Sequence, residues 1–114
     1  MIDITHEDVE KFLLETEFDH NPGQKEISFP VIKRIHRRLQ QGNSFSAIKV
    51  TDGRIVDGHH RYICHKLLNR NPKTTHGGAN STNKEYAWAE INLAHIDYDT
   101  DETKRIFEER YDKQ

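Results

Sequence analysis

The chain has one cysteine, one methionine, three prolines and no long apolar run among its 114 residues. A single cysteine excludes an internal disulfide and a thiol-pair metal site, which fits a reducing compartment. No stretch approaches the ~20 apolar residues that span a bilayer. Met1-Ile2-Asp3-Ile4 lacks a basic region followed by a hydrophobic one. A cytoplasmic protein without membrane contact is therefore expected. An excess of one charge is missing too. With 17 basic and 19 acidic side chains the formal charge is −2, so nothing draws the whole chain toward nucleic acid or an anionic membrane. Hydrophobic residues make up only 33%, enough for one domain around a small core. There is no internal repeat and no low-complexity tract.

What is present concentrates between Ile48 and Leu68. Two β-branched runs, Ala47 to Val50 and Ile55 to Asp57, flank Asp52-Gly53, whose positive φ suits a two-residue hairpin turn. After Asp57 the period changes. Ile63, Cys64, Leu67 and Leu68 fall at helical spacing, and Asn69 to Pro72 closes the segment. A strand thus runs into a helix through Asp57-Gly58-His59-His60. The first turn of a helix carries unpaired backbone N–H groups and the positive end of the dipole, so it attracts anions. Gly58 allows close approach of the backbone, and His59, His60 and Arg61 place two imidazoles and a guanidinium beside it. A cation at a helix N-terminus is unfavourable unless an anion offsets it, which argues against mere surface decoration.

The remaining elements read in order. Thr5 caps a short amphipathic helix, 5–14, with Val9, Phe12 and Leu13 on its apolar face. Glu15 to Glu26, with Asn21-Pro22-Gly23, is a loop without a strand of its own, except for a very short strand around Glu26 to Phe29. Pro30 opens a second helix, striped by Val31, Ile32, Ile35 and Leu39 and ended by Gly42-Asn43. Its opposite face, Lys33, Arg34, His36, Arg37 and Arg38, is either a solvated surface or a contact for an acidic or phosphate-rich partner. Residues 69–84 form a long polar loop, either a lid or a connection. Ala87, Ala89, Ile91 and Leu93 alternate with polar or aromatic positions and predict a strand from Tyr86 to Leu93, with Trp88 as core packing or a base platform. Asp97, Asp99 and Asp101 alternate like a calcium loop but lack its glycine and distant glutamate, so they read as the lead-in to a last helix, 101–111, capped by Thr100.

Eight histidines raise the question of metal. His60 and Cys64 lie four apart, with His59 or His76 as a third ligand, but Cys64 belongs to the apolar stripe and no zinc-protease spacing occurs. No metal ligand is assigned. Cys64 as a nucleophile fails for the same reason, since it would lack access.

The segment Asp57-Gly58-His59-His60-Arg61-Tyr62-Ile63-Cys64-His65-Lys66-Leu67-Leu68, after a strand ending in Ile-Val, resembles the signature of the ParB/sulfiredoxin-like superfamily. That group includes the N-terminal domain of ParB proteins, sulfiredoxin and the archaeal free-serine kinase. The likeness covers residues 24–97, and its specific part is the dozen residues after Ile55. It implies an α+β fold, a small mixed sheet flanked by helices, in one domain over residues 1–114. It also implies that Gly58, His60 and Arg61 contact phosphate. Two departures matter. Sulfiredoxin carries its reactive cysteine where this chain has His59, which removes the reductase chemistry. ParB continues into a helix-turn-helix, and no such direct DNA-binding domain is expected here.

The resulting expectation is a phosphate- or nucleotide-binding domain at 57–61, with a nucleotide triphosphate and magnesium as the cofactor. Phosphoryl transfer or hydrolysis would use His59 and Asp57 for acid-base work or cation holding. The alternative is a catalytically inactive protein-binding member, such as the immunity protein of a bacterial toxin. A nuclease lacks the carboxylate cluster that two metals need.

Overall fold

Helix α1, His6–Glu15, starts on a reciprocal cap, in which the Thr5 hydroxyl accepts from the Asp8 N–H and the Asp8 carboxylate accepts from the Thr5 N–H. The computed structural model describes residues 3–78 and 84–111. Within them α1 is followed by β1 (Asn21–Pro22), β2 (Glu26–Ser28), α2 (Phe29–Gln40), β3 (Ile48–Thr51) and β4 (Arg54–Asp57). Next come α3 (His59–Leu67), β5 (Thr74–His76), a 3-10 turn at Trp88–Glu90, β6 (Asn92–Ala94) and α4 (Asp101–Tyr111). The architecture is α+β, a small mixed sheet with helices around it.

The sheet has the order β1-β4-β3-β5, and a separate parallel pair joins β2 to β6. Strands β3 and β4 form the antiparallel hairpin expected from Asp52-Gly53, whose φ values of 50° and 78° supply the left-handed turn. β1 and β5 run parallel to β4 and β3, one on each edge. Val9, Ile27, Ile32, Ile48, Ile55, Ile63 and Cys64 are fully buried and hold α1, α2 and α3 against the strands. Tyr62 and Trp88 stack at 5.8 Å, and Phe18 packs on both.

Three expectations change. Asn21–Pro22 is a strand inside the stretch read as a loop. Its pairing with Arg54 and Ile55 comes from the neighbouring strand, which local propensity does not encode. Thr74–His76 likewise becomes an exposed edge strand on β3, which pins part of the segment read as a lid, while residues 79–83 of that segment lie outside the described residues. The strand expected from Tyr86 to Leu93 shrinks to Asn92–Ala94. Before it the chain turns, with the Glu90 carboxylate accepting from the Ala87 N–H. Trp88 and Ile91, three apart, are buried, whereas Ala87 and Ala89 face out.

The basic face of α2 is largely matched from within. Arg34 pairs with Asp97 and Asp99, Arg37 with Asp3 and Arg38 with Glu108, and His36 is buried rather than surface-facing. Asp97 and Asp99 therefore serve as partners of Arg34, with Lys104 beside Asp97, and not as a cation loop. Among the described residues no helix is long and apolar enough to cross a membrane.

Ile27 sits at the meeting point of the parallel pair and the core, with no exposed surface. Ile27→Ala should cost about 2–5 kcal/mol in urea unfolding, as large-to-small changes in rigid cores do. A cost below about 1 kcal/mol would show that the site collapses to fill the void.

Candidate functional site

Gly58 caps α3 in the left-handed region at φ 99°, and its carbonyl accepts the Tyr62 N–H at 2.9 Å. A Cβ there would stand 2.7 Å from Nη2 of Arg61 and 3.0 Å from Cδ1 of Ile48, so backbone angle and space both demand glycine. No side chain caps the first turn of α3. The amide end of the helix is thus open, as the sequence suggested.

The two histidines turn away from that end and into the protein. Nε2 of His59 accepts the Gly23 N–H at 2.9 Å, and Nε2 of His60 accepts the Ser28 N–H at 2.9 Å. A nitrogen that accepts from an amide carries no proton, so each neutral ring bears its proton on Nδ1. Burial pushes the His59 ring down to about 4, helped by His60 and opposed by Asp57. Burial and then Arg61 push His60 to about 4 as well. His59 is 5% exposed. Its one proton-accepting atom is already occupied, and in this geometry it seats the loop at Gly23. A Cβ on Gly23 would meet the Ile55 carbonyl at 2.5 Å, so loop and strand touch directly behind the ring.

His60 reaches the start of α2. Ser28, which is closed off from solvent, gives its N–H to His60 and its hydroxyl to the Ile96 carbonyl, while its oxygen accepts from Val31 as the α2 cap. Sequence reasoning missed Ser28. The signal was there in Ser-Phe-Pro, a capping residue just before a proline in a first turn.

Arg61 remains at the open end. Its Nη2 donates to Asp57 Oδ2 at 3.2 Å and to the Ala47 carbonyl at 3.4 Å, and its Nε is buried without a hydrogen-bond partner. Asp57 is more than half exposed, so this i,i+4 pair is weakly held. The junction opens on a cleft of ≈ 240 Å³ whose walls include Gln24, Val31, Val56 and residues 57–61. The expected Gly58, His60, Arg61, His59 and Asp57 are brought to one place. Among the described residues no group of three or more His, Cys, Asp or Glu side chains could hold a metal ion. Cys64 is fully buried, its thiol donates to the Ile32 carbonyl, and burial raises its pKa far above the ordinary thiol range.

Comparison with protein-family models, with curated proteins and with solved structures found no match to this chain.

The buried imidazoles tie stability to pH. An unfolded chain takes protons on these rings near 6.5, while the folded chain refuses them until about 4. Stability should therefore be full above the ordinary histidine value and fall as the pH drops through that window, by up to about 1.4 kcal/mol per pH unit for each ring. Urea unfolding stepped from pH about 7 down to about 4.5 measures the slope. A flat free energy over this interval would mean that the rings are free to protonate in the native state.

Proposed function

We propose that this chain is a ParB/sulfiredoxin-like domain that binds a phosphate group at the open end of α3. The observation that supports this most is the pairing of an uncapped helical turn with Arg61, whose Nε lacks a partner, at the mouth of a cleft. Bare amides and a guanidinium together suit a dianionic oxygen cluster. An incoming phosphate would take over the Arg61 nitrogens now engaged in a weak pair with Asp57, leaving that carboxylate free in solvent. One carboxylate beside bound phosphates is a sufficient protein contribution for magnesium, which keeps most of its waters. Asp57 would be that ligand.

Size limits the ligand. The cleft of ≈ 240 Å³ falls below the roughly 300–1,000 Å³ of drug-sized pockets, so it suits the phosphate end of a nucleotide with the rest lying outside. Binding without turnover is the favoured form of this reading. Phosphoryl transfer or hydrolysis would need a base, and the accepting nitrogens of His59 and His60 are both engaged with backbone amides.

The alternative of a toxin-neutralising immunity protein calls for a continuous contact face. The large exposed apolar side chains, Leu14, Ile96, Tyr98 and Ile106, are scattered over α1, the acidic lead-in and α4, which is ordinary for a soluble surface.

Calorimetry with nucleotide triphosphates and magnesium tests the proposal. Arg61→Ala should weaken binding at least tenfold, about 1.4 kcal/mol or more, because it removes a charge-assisted hydrogen bond to the ligand. Failure of the intact protein to bind any nucleotide or inorganic phosphate overturns it. One stoichiometric protein partner captured by such an inactive chain would favour the immunity reading instead.

A further inference from the structure

A larger cleft, ≈ 330 Å³, lies on another face between the α2–β3 and α3–β5 connections. Its lining has an unusual composition. Arg70 and Lys73 stand at one side and form no ion pair among the described residues, in a protein whose other arginines are mostly paired. No aspartate or glutamate lines the cleft. Two unmatched cations without a local acid leave a positive field focused in a concavity, which favours an anionic group.

The neutral polar groups say what the rest of the ligand is. Asn43 is only 8% exposed, yet its side-chain amide has no hydrogen-bond partner among the described residues. A buried amide left unpaired costs free energy unless something in the cleft satisfies it. Ser44 and Ser46 add hydroxyls that are likewise unpartnered among the described residues. Asn71 accepts from Lys66 through Oδ1, which leaves its NH2 to donate. His65 donates from Nδ1 to the Arg61 carbonyl, so in its neutral form Nε2 is an acceptor. Groups that both donate and accept match hydroxyls, which do the same. Phe45 contributes an apolar ring to the wall, a surface for the C–H face of a pyranose.

We infer that this cleft, set between Asn43 to Phe45 and Arg70 to Lys73, is a binding site for a sugar phosphate. The phosphate sits between Arg70 and Lys73, and the ring hydroxyls meet the amides and serines against Phe45. Unlike the junction at residues 57–61, this site uses no helix N-terminus, and the two readings stand or fall separately.

Amide NMR titration of the full chain tests it, with glucose 6-phosphate, glucose and inorganic phosphate as separate probes. The sugar phosphate should give saturable shifts at residues 43–47 and 70–73, and bind more tightly than either fragment. The double variant Arg70→Ala/Lys73→Ala should weaken it about tenfold or more, because hydrogen bonds from a cation to phosphate are among the strong ones. Both side chains are exposed, so the variant should keep its fold, checked by an unchanged spectrum elsewhere. Asn43→Ala should weaken the sugar phosphate while leaving inorganic phosphate unaffected. Three results overturn the inference: no saturable shift at 43–47 and 70–73, equal binding of inorganic phosphate and sugar phosphate, or shifts confined to residues 57–61.

Discussion

Two acceptor nitrogens, one on His59 and one on His60, seat helix α3 on the strands that precede it in the chain. Each takes a backbone N–H, from Gly23 and Ser28, that would otherwise be left unpaired next to the core. The bond works in one direction only, because a ring protonated at Nε2 would face a donor with a donor. Everything around the rings is consistent with keeping them neutral: burial, the adjacent cation of Arg61 and the mutual proximity of the two imidazoles. With α3 fixed in this way, Gly58 can turn the chain sharply out of β4. The residues that crowd the junction therefore divide into two that hold it together and one, Arg61, that still faces an open space.

That division explains why the site was only partly legible in the sequence. The hairpin, the glycine and the helix that follows are local signals, and they were readable because turn chemistry and helical period act within a few residues. The direction in which His59 and His60 point is not local. It depends on Gly23 and Ser28, some thirty residues earlier, and the first of these lies beside a strand that exists only because β4 offers it an edge. A histidine pair beside an arginine reads as a cationic cluster until its partners are known. Trp88 shows the same limit. Alternation around it matched a strand, but a three-residue spacing of Trp88 and Ile91 into the core is equally compatible with those letters.

Charge follows a related logic. The five basic or titratable positions of α2 looked like one surface, yet Asp97, Asp99 and Glu108 return from the far end of the chain to meet Arg34 and Arg38. His36 goes inside. Near-neutral overall charge therefore hides an uneven distribution, in which acidic residues distant in sequence quench one helix and leave Arg70 and Lys73 without such partners. Composition gives the sum, while only the chain path reveals where the remainder lies.

The parallel pair β2–β6 joins residues 26–28 to residues 92–94, and His6 reaches the Leu93 carbonyl from the first helix. During synthesis these early segments emerge long before their counterpart exists. Until residue 94 clears the ribosome, Ile27 has no strand beside it and the underside of α1 has nothing to rest on. The nascent chain consequently carries an unmatched strand edge through most of its translation, and closure of such distant contacts is entropically slow. Its brevity, three residues, limits how well a neighbouring nascent chain could zip onto it.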